Sequence, residues 1–137
     1  MLNNMDPKKW GKYHWGMIYC VIINYPDNPT MEDKKVMMEL FRLLQSLLPC
    51  ENCRHHYGSY LVKYPLTENI LSSRSKLLDW TININNEINR RLGKKEYLAE
   101  EVINYYTRSY QNNNSQYITI FLLILLIILL ICYIKLK

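Results

Sequence analysis

The chain has 137 residues with a net charge of +5, and 49% of its residues are hydrophobic. This length suits one modest domain rather than several. The positive charge is scattered along the chain, which is typical of a solvated surface. It indicates at most a weak attraction to anionic lipid or to a negatively charged cofactor. No nucleic-acid partner is expected.

A proline-containing turn separates the first two predicted helices. An apolar stretch at about residues 10–24 predicts the first helix, and Pro26 and Pro29 forbid helix in the segment that follows. Thr30 is a predicted N-cap, because acidic residues stand two and three positions later, where they favour the helix dipole. Leucines between residues 40 and 48 follow a helical spacing and give the second helix its apolar face.

Three further helices are predicted in the rest of the N-terminal part. The third begins after Pro49 and runs to about residue 63, and the fourth covers about residues 74–92 and stops at Gly93. A short fifth helix covers about residues 98–108. No internal repeat and no strand pairing is recognisable, so residues 1–110 are predicted to form a compact all-α bundle.

The C-terminal segment is predicted to cross a membrane. Residues 117–134 form an apolar run without a charge, and eighteen helical residues reach about 27 Å, roughly one hydrocarbon core. The alternative is a buried core helix, which is disfavoured because residues 1–110 can build a core alone. Residues 111–116 are then predicted to form a polar linker, and residues 135–137 a basic tip beyond the membrane.

The position of the apolar run favours a tail anchor. Residues 1–15 are polar and basic and lack the apolar core of a signal peptide. We therefore expect the domain of residues 1–110 on the cytosolic side of a membrane.

Two of the four cysteines form a Cys-x-x-Cys motif. Cys132 lies in the apolar run and Cys20 in an apolar stretch, so Cys50 and Cys53 are the one candidate for a working pair. A pair this close can close a disulfide. At a helix N-terminus the helix dipole favours the thiolate, which is the nucleophile in thiol–disulfide exchange.

The motif alone leaves three interpretations open. A thioredoxin-like redox motif would need a βαβ pattern, which this chain lacks. A zinc site would use Cys50, Cys53 and either His55 or His56, with a fourth ligand from elsewhere. The third interpretation is a pair of inert core cysteines.

Four segments between residues 8 and 108 carry a more specific pattern. They are Trp10-Gly11-Lys12 followed by Trp15; Tyr25-Pro26-Asp27-Asn28-Pro29-Thr30; Leu48-Pro49-Cys50-Glu51-Asn52-Cys53-Arg54-His55-His56-Tyr57; and Ser73-Arg74, Trp80 and Asn85-Asn86-Glu87-Ile88-Asn89-Arg90-Arg91-Leu92-Gly93-Lys94. Together, in this order and spacing, they resemble the Erv/ALR family of FAD-linked sulfhydryl oxidases. The short domain and the C-terminal apolar run are most similar to members from large DNA viruses, which implies that the anchoring membrane is a host membrane or a virion membrane.

This resemblance implies a fold and an activity. The fold is a four-helix bundle with a short fifth helix, here followed by the single transmembrane helix, that holds FAD non-covalently and commonly forms a homodimer through its first two helices. Cys50 would be attacked by substrate thiols, and Cys53 would pass the electrons to FAD. Oxygen would be the final acceptor and hydrogen peroxide the product. The expected substrates are protein thiols, such as those of a thioredoxin-like or Cys-x-x-Cys shuttle protein.

The resemblance also implies a set of cofactor-site residues. Some match family positions at the flavin and adenosine ends of FAD, whereas Tyr19 and Asn85 stand where many members have histidine. Ile82 stands where many members have a cysteine of a second disulfide. The full set of expected contacts is Lys12, Trp15, Tyr19, His56, Asn85, Asn86, Ile88, Asn89 and Lys94.

The residues of the fourth helix support a binding face independently of the resemblance. Asparagines are poor helix formers, and Asn86 and Asn89 lie three residues apart on one helical face, which suits hydrogen bonding to a dinucleotide. A solvated face is the alternative interpretation of the same pattern.

The sequence therefore predicts an FAD-dependent sulfhydryl oxidase that forms disulfide bonds in protein substrates. Two other functions stay open. One is a non-catalytic, zinc-stabilised membrane adaptor that uses Cys50, Cys53 and His56, and the other is a purely structural tail-anchored bundle.

Overall fold

The computed structural model describes the backbone of residues 5–136 and the side chains of residues 5–108 and 116–135. The described chain is helical, which confirms the predicted all-α class. The helices are α1 (Pro7–Ile23), α2 (Met31–Leu47), α3 (Glu51–Lys63), α4 (Arg74–Arg91) and α5 (Ala99–Leu136), with a single 3₁₀ turn at Ile70–Ser72 before α4.

Local capping signals fix the N-termini of the first two helices. Helix α1 begins earlier than predicted because Asp6 caps it, accepting a hydrogen bond from the Lys8 backbone N–H, and Pro7 fits the first helical turn. At α2, Thr30 and Asp33 form a reciprocal capping box in which each side chain accepts from the backbone N–H of the other. The predicted cap at Thr30 is thus confirmed.

Gly93 ends α4, as predicted. It adopts a φ of 62°, a left-handed conformation that glycine reaches without steric cost. The Gly93 N–H donates to the Arg90 carbonyl and the Lys94 N–H to the Asn89 carbonyl, which together form a Schellman motif. This turn keeps the backbone of Lys94 beside the last turn of α4.

Helices α1 and α4 pack against each other in antiparallel directions. Beyond the end of α1, the Tyr25 hydroxyl donates to the Leu71 carbonyl at 3.0 Å, and Arg74 Nε donates to the Tyr25 carbonyl at 2.6 Å. The start of α4 therefore lies at the end of α1, and Asn85 lies beside Tyr19 further along. This antiparallel register determines which side chains of α1 and α4 can meet.

Aromatic and aliphatic side chains from all four N-terminal helices fill the core. Phe41 of α2 meets Trp80 of α4 in an edge-to-face contact, with ring centroids 4.8 Å apart. The Trp80 indole N–H also donates to the carbonyl of Tyr64, just after α3. The other fully buried apolar side chains include Ile18, Ile22, Leu71, Leu77 and Ile84.

Residues 103–137 form a separate unit. Residues 111–116, predicted to be a linker, are helical, because α5 runs without a break from Ala99 to Leu136. Neither glycine nor proline occurs after Gly93, so nothing in this stretch forces the helix to stop. Residues Gln116–Lys135 are long and apolar enough to cross a membrane, with a mean hydropathy of 3.1 and no burial.

Candidate functional site

Cys50 and Cys53 are joined in a disulfide at the N-terminus of α3. Their Cα atoms are 5.1 Å apart. Cys50 is the N-cap residue, in an extended conformation (φ −142°, ψ 122°), and its Sγ accepts the Cys53 backbone N–H at 3.2 Å. Cys50 is only 7% exposed, whereas Cys53 is half-buried. Backbone N–H groups and the positive end of the helix dipole thus face the sulfur atoms, which favours a thiolate when the disulfide opens.

The backbone on the N-terminal side of the disulfide is held in place by hydrogen bonds. The Arg54 guanidinium donates to the Leu48 carbonyl at 2.6 Å, and the Met5 N–H donates to the Pro49 carbonyl at 3.0 Å. From the sequence alone, Arg54 is only a positive charge close to the two cysteines. In the structure it fixes the segment that leads into Cys50, a role that no local pattern reveals.

The two positions at which many family members have histidine contact each other. Asn85 Nδ2 donates to the Tyr19 hydroxyl oxygen at 2.7 Å, and these residues are only 3% and 4% exposed. This bond links α1 to α4 inside the core. Because the helices are antiparallel, moving one turn back along α1 from Tyr19 and one turn forward along α4 from Asn85 brings Trp15 to the level of Asn89.

A cluster of aromatic rings lines the N-terminal half of α1. His14 lies between two indoles, with its ring centroid 5.7 Å from that of Trp10 and 5.4 Å from that of Trp15. Trp15 in turn lies 6.1 Å from the Tyr19 ring. Burial lowers the pKa of His14, which favours its neutral form. Sequence reasoning did not single out His14, although its position between two tryptophans is visible there.

Two buried polar atoms have no hydrogen-bond partner among the described residues. They are the Asn89 amide nitrogen Nδ2 on α4 and the Tyr57 hydroxyl on α3. Buried polar groups are nearly always paired, because leaving one unpaired costs about 1–3 kcal/mol. Asn89 was predicted to contact FAD, and an unpaired amide donor inside the bundle fits a cofactor rich in oxygen and nitrogen acceptors. The residues present therefore fit FAD.

Asn86 has a different environment from Asn89. Its Nδ2 donates to the Tyr97 carbonyl and its Oδ1 accepts from the Tyr97 N–H, both at 2.8 Å. The side chain thereby ties the segment after Gly93 to α4. The structure thus gives Asn86 a partner within the protein, and its predicted contact with FAD stays a prediction.

The remaining predicted contacts lie at the surface or near it. Ile88 is half-buried, and Lys12, His56 and Lys94 are exposed. The Lys12 ammonium lies over the Tyr13 ring, 4.7 Å from its centroid. The structure therefore buries Tyr19, Asn85 and Asn89, leaves Trp15 half-buried, and leaves the two lysines exposed.

The structure gives no support to the zinc interpretation. The two cysteines are bonded to each other, and His56 is exposed. Among the described residues, no three side chains of His, Cys, Asp or Glu lie close enough together to hold a metal ion.

Polar contacts fasten the far end of α3 to α4. Glu87 accepts a hydrogen bond from the Tyr64 hydroxyl at 2.8 Å and pairs with Lys63 at 3.4 Å and with Arg90 at 3.0 Å. The Tyr64 hydrogen bond, followed by the Lys63 charge, lowers the pKa of Glu87. These contacts join the C-terminal end of α3 to the C-terminal half of α4.

Comparisons with known proteins agree with this geometry. Residues 12–110 match the model of the Erv1 / Alr family. The chain is 44% identical over 99 residues to a probable FAD-linked sulfhydryl oxidase of Acanthamoeba polyphaga mimivirus, covering 72% of this chain and 69% of the relative. It is also 34% identical over 103 residues to an FAD-linked sulfhydryl oxidase of African swine fever virus, covering 75% and 84%.

A solved structure shows the same fold. The FAD-binding domain of Erv1 from Saccharomyces cerevisiae superimposes with a TM-score of 0.67 at 23% sequence identity, over 73% of this chain and 92% of that one.

Proposed function

Because the chain belongs to the Erv1/Alr family and is an FAD-dependent sulfhydryl oxidase, we propose that it forms disulfide bonds in protein substrates through Cys50 and Cys53. One observation carries this proposal. The two cysteines form a disulfide at a helix N-terminus, in the same bundle as a buried asparagine amide that has no partner among the described residues.

The exchange chemistry follows from the position of the disulfide. A substrate thiolate attacks Cys50 Sγ, the Cys50–Cys53 bond breaks, and Cys53 leaves as a thiolate at the start of α3. A second substrate thiolate attacks the substrate sulfur of the mixed disulfide, which releases the oxidised substrate and the Cys50 thiolate. The helix dipole and the backbone N–H groups at the start of α3 stabilise the negative charge that develops on each leaving sulfur.

The cofactor supplies the second half of the reaction. When bound, FAD accepts the electron pair of the reduced cysteines and passes it to oxygen. We assign Trp15 and Asn89 to the cofactor site inside the bundle, and the exposed Lys12 and Lys94 to the charged phosphate groups at its rim. The Asn89 amide would donate to a cofactor acceptor, and the lysines would neutralise phosphate charge.

Variants of the cysteines test the proposal and the division of roles. Cys53 is the more exposed cysteine in the structure, so the assignment of Cys50 as the attacked residue rests on the family resemblance. The purified protein should be yellow and should consume oxygen when given dithiothreitol. Cys50→Ser and Cys53→Ser should both abolish this activity, and only Cys50→Ser, which leaves the Cys53 thiolate, should show a long-wavelength absorption band.

The matched control is Cys20→Ser, because Cys20 is a half-buried free cysteine of α1. It should keep both the activity and the flavin spectrum. A colourless wild-type protein, or one whose activity survives both active-site substitutions, would contradict the proposal.

We also propose that residues 116–135 anchor the oxidase to a membrane. Their length, apolar character and complete exposure support this. The expected orientation, with the oxidase domain on the cytosolic side, is tested by protease protection of membranes that contain the full chain. The added protease is expected to digest the oxidase domain while the membranes are intact. Protection of the domain from the protease would show the opposite orientation.

A homodimer through α1 and α2 is the third part of the proposal. Exposed apolar side chains recur on α1 at Tyr13, Met17 and Val21, four residues apart on one face. A similar exposed set lies on α2, at Val36, Leu43 and Leu47. Such contiguous apolar stripes are typical of protein interfaces.

Light scattering of the detergent-solubilised chain tests the dimer. Met17→Glu should shift it toward the monomer. The control Val62→Glu, at an equally apolar but 83% exposed position on α3, should leave the dimer intact. A wild-type protein that is already monomeric would contradict this part of the proposal.

A further inference from the structure

The Tyr57 hydroxyl is a polar atom in an otherwise apolar position. Tyr57 is 3% exposed, and its hydroxyl has no hydrogen-bond partner among the described residues. A phenylalanine would fill the same space without this oxygen. A buried hydroxyl without a partner destabilises the protein that carries it, so its presence points to a partner that arrives from outside the chain.

The position of Tyr57 on α3 ties this hydroxyl to the redox centre. Tyr57 follows Cys53 by four residues, so the two side chains lie on the same helical face, one turn apart. Side chains in a helix lean toward its N-terminus, which directs the Tyr57 ring toward the turn that carries Cys53. A group that binds next to Cys53 is therefore within reach of the Tyr57 hydroxyl.

The second unpaired atom lies on the neighbouring helix. Asn89 Nδ2 can only donate a hydrogen bond, whereas a tyrosine hydroxyl can both donate and accept. The two groups do not satisfy each other in the structure. A ligand that carries several hydrogen-bonding groups could pair with both atoms.

We propose that the Tyr57 hydroxyl hydrogen-bonds the polar edge of the isoalloxazine ring of FAD, the edge that carries its carbonyl oxygens and ring nitrogens. This inference rests on the proposed function and names one further residue that positions the cofactor. Burial also raises the pKa of Tyr57 above its usual value, so the hydroxyl keeps its proton and stays a donor.

The substitution Tyr57→Phe tests the proposal in the full-length protein, because it removes one oxygen and keeps the ring. FAD is titrated into the apo forms of wild type and variant, and the thermal unfolding of both apo forms is recorded. We expect FAD affinity to fall about 5- to 150-fold, while the apo protein unfolds at the same or a higher temperature. The absorption maximum of the bound flavin should also shift, because the ring loses a hydrogen bond.

Tyr60→Phe is the matched control, since Tyr60 is a half-buried tyrosine on the same helix. It should leave both FAD affinity and the flavin spectrum unchanged. Unchanged FAD affinity and spectrum in Tyr57→Phe would overturn the inference, and a lower apo stability in that case would indicate an ordered water or another internal partner. If wild type itself binds no FAD, the proposed function fails; if wild type binds and Tyr57→Phe binds equally well, only this inference fails.

Discussion

Three asparagines of α4 should respond differently to the same substitution. Asn83 is exposed, Asn86 is bonded twice to the backbone of Tyr97, and Asn89 is buried with an unpaired amide nitrogen. Replacing each residue by alanine in the same 18-residue helix therefore tests a different effect. Asn83 tests helix propensity, Asn86 tests tertiary hydrogen bonding, and Asn89 tests cofactor binding.

The expected magnitudes follow from the environment of each side chain. Asn83→Ala should stabilise the protein by up to about 0.5 kcal/mol, since alanine is the better helix former. Asn86→Ala removes two hydrogen bonds, each worth about 0.5–1.5 kcal/mol, and should lower the free energy of unfolding by about 1–3 kcal/mol. At about 4–8 °C per kcal/mol for a domain of this size, its apo Tm should fall by at least about 4 °C.

Asn89→Ala should reverse this pattern. Its amide contributes an unpaired buried donor to the apo protein, so its removal should leave the apo Tm unchanged or higher. In the holo protein a cofactor acceptor loses its partner, at a cost of about 1–3 kcal/mol, which corresponds to a 5- to 150-fold weaker affinity for FAD.

Thermal unfolding of the three apo variants and fluorescence titration with FAD measure both quantities. The reasoning is refuted if Asn89→Ala lowers the apo Tm as much as Asn86→Ala does while FAD affinity stays at the wild-type value. In that case Asn89 would be a structural residue with a partner inside the protein.

Three other predictions concern stability and the separate C-terminal unit. The pKa of Glu87 is lowered in the folded protein, so its contacts with Tyr64 and the neighbouring bases stabilise the fold above the ordinary pKa of 4.5 and are lost as the pH falls through the folded pKa. Glu87→Gln should therefore make the Tm fall less steeply below about pH 4.5. An unchanged slope of Tm against pH would contradict this. A double-mutant cycle of Tyr19→Phe and Asn85→Ala should give a coupling energy of about 0.5–3 kcal/mol by chemical denaturation, whereas additive effects would mean that the bond between α1 and α4 contributes nothing. Removal of residues 111–137 should leave a soluble oxidase that still binds FAD, and a fragment that does not fold would show that the removed segment belongs to the core.

Local sequence patterns predicted the helical class, several of the helix ends and the redox motif. Pro26, Pro29 and Gly93 act through their own backbone conformations, and Thr30 acts within three residues of itself. Interactions this local do not depend on the rest of the fold, so the sequence reveals them. The apolar composition of residues 117–134 is equally visible without a structure.

The continuity of α5 was harder to predict. Residues 111–116 are polar and include poor helix formers, which suggested a linker, but they contain no glycine or proline that would end a helix. Amino-acid composition gives the helix propensity of each residue taken singly. Helix formation is cooperative, however, because each residue added to an existing helix gains a hydrogen bond to the preceding turn, so a stretch of weak helix formers can continue a helix that has already begun.

Only the tertiary structure decided what the individual polar side chains do. Asn86 and Asn89 are the same residue type on the same helical face, yet one ties down the chain at Tyr97 and the other keeps an unpaired amide inside the bundle. Tyr19 and Asn85, which the sequence marked only as separate departures from a pattern, form one hydrogen bond between two helices. The partner of a side chain depends on helix register and packing between residues far apart in sequence, and neither quantity is encoded in the local pattern around any single residue.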